Sequence, residues 1–132
     1  MSEGDGARIL VVDDDALIRQ LLRVNLELEG YEVAEASDGE EAIQQARVLC
    51  PALVLLDIMM PKLDGWEVAR VLRGDPETAG IPVVFLSARA QESDVRKGME
   101  LGVADYITKP FDPDDLLVCV QRVLSAHARP SG

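Results

Sequence analysis

Five short apolar runs, "RILVVD", "YEVAEA", "ALVLLD", "PVVFLS" and "VADYIT", alternate along the chain with longer stretches of helical spacing. That alternation restricts the fold more than any other feature. Runs with apolar residues on both sides of the pleat belong in a sheet covered on both faces. Parallel neighbours need a helix to carry the chain back, and right-handed crossovers distribute the helices over the two faces. The pattern predicts an α/β, doubly wound five-stranded parallel sheet with five helices. The 132 residues suffice for one such domain. In such folds the functional crevice lies beyond the carboxyl ends of the strands.

The helical stretches carry their own punctuation. In the first, Ile18, Leu21, Leu22 and Leu26 share a face, and Gly30 is placed to stop it. The second opens at "SDGEEA", where Ser37 and Glu40 are spaced as a capping box. The third opens at Asp64 with Glu67 three residues on, and Gly74 and Pro76 stand beyond its end. The fourth runs from about Gln91 to Leu101. The last opens at "DPDDLL", acidic at its positive end, with Leu116, Val120, Val123 and Leu124 facing inward. The expected domain is 8–127. Residues 1–7 read as a flexible tail, and 128–132 as a tail or the start of a linker.

Chemistry is concentrated where the strands end. The first ends in Asp13 and Asp14, the third in Asp57 and the fourth in Ser87, while Lys109 follows the fifth. Three carboxylates in a small space raise one another's pKa. A hard divalent cation with oxygen ligands relieves this, and Mg²⁺ fits, with Mn²⁺ as a substitute. Three negative charges then meet three positive ones, two from the ion and one from Lys109. A pocket neutralised in this way accepts a phosphoryl group that bare carboxylates would repel. Asp57, alone at a central strand end, is the candidate nucleophile toward phosphorus. Lys109 would share the charge on the transferring oxygens, and Ser87 could hydrogen-bond one of them. Asp15 is assigned to capping the first helix.

Charge and composition exclude other classes. A net charge of −11 opposes direct nucleic-acid binding. No apolar run reaches membrane-spanning length and no signal segment opens the chain, so membrane insertion is not expected and the expected location is cytoplasmic. Cys50 and Cys119 are far apart, without nearby ligand partners, and read as buried small apolar residues. The single histidine, His127, stands near the end and reads as exposed and inert.

Four segments in this order, "VVDDD", "LLDIMMPKLDGWE", "PVVFLSA" and "DYITKPF", closely resemble the receiver domain of bacterial two-component response regulators, over about residues 8–127. The resemblance implies a flavodoxin-like strand order of 2-1-3-4-5. It implies Asp57 as phosphoacceptor, and Mg²⁺ held by Asp13, Asp14, Asp57 and the backbone carbonyl of Met59. It implies Ser87, Lys109 and the Ala88 backbone as phosphoryl contacts, and Ser87 with Tyr106 as the switch pair. A cis Lys109–Pro110 bond and a turn through Pro61 and Gly65 are also implied, while Met59 and Arg89 hold positions that tune the lifetime of the phosphorylated state. The partners implied are a sensor histidine kinase or phosphotransfer protein, and an unknown downstream protein or fused output domain. Phosphorylation and dephosphorylation of the chain's own aspartate would be self-catalysed, without turnover of an external substrate. The face formed by the fourth helix, fifth strand and fifth helix would change shape.

Other readings fare worse. A haloacid dehalogenase-type phosphohydrolase needs an acid two residues after its nucleophile, where this chain has Met59. A flavin carrier needs a Ser/Thr/Gly-rich phosphate loop after the first strand, where this chain has three aspartates. A degenerate receiver acting as a phosphorylation-independent interaction module is the alternative, and the intact acid and lysine set opposes it.

Overall fold

The computed structural model describes residues 6–88 and 91–127; Arg89, Ala90 and the segments 1–5 and 128–132 lie outside the described residues. The elements run β1 (Arg8–Val12), α1 (Ala16–Leu28), β2 (Glu32–Ala36), α2 (Gly39–Leu49), β3 (Leu53–Asp57), α3 (Gly65–Gly74), β4 (Val83–Ser87), α4 (Glu92–Glu100), β5 (Asp105–Thr108) and α5 (Pro113–His127). All four strand pairings are parallel and the order is β2-β1-β3-β4-β5. The doubly wound α/β fold expected from the strand-helix alternation is therefore present. The order reverses at β1, which puts the crevice beyond the ends of β1 and β3. Ahead of β1, the Gly6 N–H donates to the Gly30 carbonyl at 3.0 Å.

Strand alternation sorts the core into two layers. Leu10, Val12, Val54, Leu56, Val83 and Phe85 point to the side covered by α2 and α3. Ile9, Val11, Leu53, Leu55, Val84 and Leu86 point to the side covered by α1 and α5. Every residue of β3 and β4 is buried, whereas edge strand β2 begins with the exposed Glu32. Each fully buried Leu, Ile or Val contributes about 1.5–3 kcal/mol over its exposed form, so the central strands are the best anchored. Their carboxyl ends are thus a rigid place to mount polar groups.

The helix termini follow the sequence with two corrections, apart from Gly74, which is the last residue of α3 instead of standing beyond it. Asp15 caps α1, its side chain accepting from the Leu17 N–H at 2.9 Å. Gly30 lets α1 stop, with φ at 91° and the Tyr31 N–H reaching back to the Leu26 carbonyl at 3.2 Å. Asp64 caps α3 through the Glu67 N–H at 3.0 Å. The capping box of α2 sits one residue later than the Ser37–Glu40 expectation. Asp38 accepts from the Glu41 N–H at 2.8 Å, and the Glu41 carboxylate accepts from the Ser37 N–H at 2.6 Å. The second correction concerns Cys50, which is exposed. It ends α2 in the left-handed region (φ 46°), just before Pro51, and this carries its side chain away from the core. Cys119 is buried, and burial pushes its thiol up to about 11.

One glycine is set by close approach. A Cβ on Gly65 would stand 2.6 Å from the Asp57 carbonyl oxygen and 2.6 Å from the Ile58 Cα. Both are backbone atoms, so neither can give way without moving the end of β3. Gly65→Ala is expected to cost about 1–3 kcal/mol of stability. Equilibrium urea unfolding checks this, and an unchanged midpoint would show that the turn yields.

Candidate functional site

Asp13 lies immediately after β1 and Asp57 is the last residue of β3. Both continue the alternation that faces α1 and α5, and this turns them toward each other at the switch point. Asp13 is 0% exposed and Asp57 4%, whereas Asp14 is exposed. One carboxylate oxygen from each of Asp13, Asp14 and Asp57 can be chosen so that all lie within 4.8 Å of one another. The Lys109 ammonium reaches into this group, 2.7 Å from Asp13 Oδ2 and 3.5 Å from Asp57 Oδ1. Four of the residues singled out in the sequence, from three strand ends, therefore meet at this edge, the three acids grouped together and Lys109 against Asp13 and Asp57.

The remaining named residues surround this group. Ser87 is wholly buried at the end of β4, one residue beyond Leu86, the register partner of Asp57. Ser87 pairs in register with Thr108, and its carbonyl accepts from the Lys109 N–H at 2.8 Å. Ala88 follows it, exposed. The Met59 side chain points to solvent, 56% exposed, while its N–H donates to Asp57 Oδ1 at 3.2 Å. The Lys109–Pro110 peptide bond is cis. Tyr106 is half-buried on the other face of β5 and meets Phe85 edge-on at 6.1 Å between centroids. It lies on the Ser87 side of the sheet by alternation, not on the Asp57 side.

Electrostatics follow from this geometry. Burial and the neighbouring Asp13 charge raise the Asp57 pKa from 3.8 to about 6, against the lowering effects of Lys109 and the Met59 N–H. Burial alone would lower the Lys109 pKa. The Asp13 hydrogen bond and the Asp13 and Asp57 charges outweigh it and raise the value, so the ammonium stays charged. Mg²⁺ takes oxygens at about 2.1 Å in an octahedron, which sets ligand atoms about 3 Å apart at adjacent vertices and about 4.2 Å at opposite ones. An oxygen group within 4.8 Å, one member facing solvent, is slightly wider than those spacings at its limit, so a small inward turn of the carboxylates, with waters completing the shell, would meet that demand. A carboxylate whose ionised form is disfavoured by burial is also one that a cation would relieve.

Sequence reasoning missed two residues that hold this site. The Arg19 guanidinium donates from one Nη to the Asp13 main-chain carbonyl at 2.6 Å and from Nε to Glu35 at 2.9 Å. Arg19 follows Asp15 by one helical turn, but nothing local marks Glu35 as its partner.

Comparison with known proteins gives a consistent result. A family model described as the response regulator receiver domain matches residues 9–121. The transcriptional regulator PhoP of Bacillus subtilis is 47% identical over 126 residues, covering 94% of this chain and 52% of its own length. The DNA-binding regulator RpaA of Synechocystis is 45% identical over 117 residues, covering 89% of this chain and 48% of its own. The chain thus spans about half the length of these curated relatives. Among solved structures, a response regulator from Chloroflexus aurantiacus superposes with a TM-score of 0.87 at 35% identity, covering 91% of this chain and 98% of its own. The chemotaxis protein CheY4 of Vibrio cholerae superposes with a TM-score of 0.85 at 32% identity, covering 89% of this chain and 98% of its own.

Proposed function

The chain belongs to the receiver-domain family of response regulators, the phosphorylation switches of two-component signalling, and from that premise we propose Asp57 as its phosphoacceptor. One observation carries the assignment. Asp57 is a buried carboxylate at the switch point, grouped within 4.8 Å with Asp13 and Asp14 and with the Lys109 ammonium 3.5 Å away. An Asp57 oxygen attacks the phosphorus of a phosphohistidine on a sensor kinase or phosphotransfer protein. The new O–P bond forms as the donor's N–P bond breaks and the imidazole leaves with the electron pair. Lys109 then carries its positive charge beside the phosphoryl oxygens. Asp13, Asp14, Asp57 and the Met59 carbonyl are the protein groups that would hold Mg²⁺, which when bound supplies further positive charge to those oxygens. Water attack at the same phosphorus later returns Asp57 and releases inorganic phosphate.

The added charge is read out by neighbours. The Ser87 hydroxyl and the Ala88 N–H gain a phosphoryl oxygen as acceptor, and Tyr106 moves inward on Phe85 as Ser87 shifts. The α4-β5-α5 face changes shape and with it the affinity for a downstream protein or fused output domain. An intact acid and lysine group favours this over a phosphorylation-independent module. The test is uptake of one phosphoryl group from a small donor such as acetyl phosphate, followed by intact mass. Uptake dependent on Mg²⁺ supports the reading, and no uptake at saturating donor and Mg²⁺ overturns it.

The donor protein needs a place to dock, and α1 offers one. Leu17, Leu21, Val24 and Leu28 form an exposed stripe at spacings of four, three and four along its outer face; Leu21, expected from its spacing to share the face of Ile18, Leu22 and Leu26, is instead 44% exposed. Leu21 also borders an apolar recess with Ile18, Pro110 and Phe111 that reaches Lys109. Exposed apolar patches beside a reaction centre mark interaction surfaces. Leu21→Asp is expected to slow phosphotransfer from a protein donor at least tenfold, the order of one interface anchor, and to leave acetyl phosphate uptake unchanged. Equal slowing with both donors would remove α1 from the docking surface.

A further inference from the structure

Asp13 is tied at every polar atom of its backbone and side chain. Its N–H donates to the Ala36 carbonyl at 3.2 Å, Oδ1 accepts from the Asp15 N–H at 2.9 Å, and Oδ2 accepts from Lys109 at 2.7 Å. The last tie, from Arg19 to the carbonyl oxygen, is the only one of these that acts on the peptide joining Asp13 to Asp14. That peptide is planar, so fixing its oxygen fixes the direction in which the Asp14 Cα leaves. Asp14 is exposed and has little packing to orient it otherwise.

Arg19 is itself held. Its side chain is 17% exposed, and Nε donates to Glu35 Oε1 at 2.9 Å. The other oxygen of Glu35 pairs with Arg23 at 2.7 Å, and Arg23 donates to the Val33 carbonyl at 2.8 Å. The truss therefore runs from edge strand β2 through α1 to the loop after β1. It uses the planar fork of a guanidinium to satisfy a carboxylate and a carbonyl at once. β2, which places no side chain among the reactive groups, supplies the fixed point.

From this geometry we infer that Arg19, braced by Glu35, is a positioning residue for the cation site: it sets the Asp13–Asp14 peptide plane and so places the Asp14 carboxylate for Mg²⁺. The inference rests on the proposed metal site. Groups that orient ligands in this way typically change metal affinity 10–100-fold when lost. Charge alone gives the opposite sign. Arg19 is a cation close to a cation site, so its removal by itself would strengthen Mg²⁺ binding. The two effects can therefore be told apart by direction.

Mg²⁺ binding is measured by calorimetric titration of the native chain, Arg19→Ala and Arg19→Lys, with circular dichroism and a metal-free thermal melt for each. The expected result is binding about tenfold weaker in both variants, with unchanged circular dichroism. Lysine keeps the charge but cannot span both acceptors, and it serves alone if the alanine variant does not fold. Affinity in Arg19→Lys equal to or tighter than native overturns the positioning role, whatever its melt shows. Absence of Mg²⁺ binding by the native chain overturns the metal site itself, a separate outcome.

Discussion

The Asp57→Asn protein is expected to gain no phosphoryl group from acetyl phosphate and Mg²⁺ under conditions that modify the native chain fully. The substitution keeps the volume of the side chain and replaces a carboxylate by a neutral amide, a far poorer nucleophile. No neighbour is placed to take over. Both Asp13 oxygens already accept hydrogen bonds, one from the Asp15 N–H and one from Lys109. Asp14 is exposed, without the enclosing walls that set Asp57 against the lysine. Intact mass spectrometry of both proteins across donor concentrations decides the matter. Undiminished uptake in the variant would move the phosphoacceptor elsewhere; loss of uptake with a native circular dichroism spectrum ties it to this carboxylate.

The variant also separates chemistry from folding, because it removes a group that burial makes unfavourable. An amide cannot carry the charge that Asp13 and the apolar surroundings oppose. Loss of uptake should therefore come with a metal-free protein more stable than native at neutral pH. A merely damaged protein would lose both.

Much of this site is legible in the sequence, for a definite reason. The apolar runs stop at the sheet's carboxyl edge, and the first polar residue after each run must stand there. That locates Asp13, Asp57 and Ser87 from the apolar pattern alone, and the structure buries all three at strand ends. Asp15 was separable from its neighbours because a helix start needs a cap. The box at α2 falls one residue later than its sequence pattern because Ser37 and Asp38 are both competent caps. The choice is made by where β2 ends, at Ala36 paired with Val12, which no local pattern reports. Arg19 and Glu35 stayed invisible for a similar reason. Each looks like an ordinary charged surface residue, and the bond between them spans 16 positions. Cys50 departs from expectation because a thiol's general preference for burial gives way to a left-handed helix end. What a period or a cap reveals is local; what a tertiary hydrogen bond decides is not.

The contribution of Asp57 to metal-free stability should fall as the pH rises from about 4 to about 6, and Mg²⁺ should offset that loss above pH 6. The sign follows from proton linkage. The Asp57 pKa is raised in the folded state, from 3.8 to about 6, with burial the largest cause and the Asp13 charge second. Below 3.8 both folded and unfolded chains hold the proton, and the group contributes no pH dependence. Between 3.8 and about 6 the unfolded chain releases it while the folded chain keeps it, so each step up in pH favours unfolding. Above about 6 both are ionised and the full penalty is present. At about 1.4 kcal/mol per pH unit, a rise from 3.8 to about 6 amounts to about 3 kcal/mol. Lys109 does not blur this window, because its raised pKa places its own titration far to the alkaline side. Other carboxylates do titrate there, so the quantity to measure is the difference between native and Asp57→Asn proteins. Urea unfolding without metal, at intervals from pH 4 to pH 8, should show the variant gaining on the native chain up to about pH 6 and holding a constant lead beyond. With Mg²⁺ the lead should shrink above pH 6, because the ion favours the same ionised carboxylate that burial opposes. A difference that stays flat across the range would mean that Asp57 ionises in the folded chain as easily as in water, and the electrostatic case for a cation at this site would go with it.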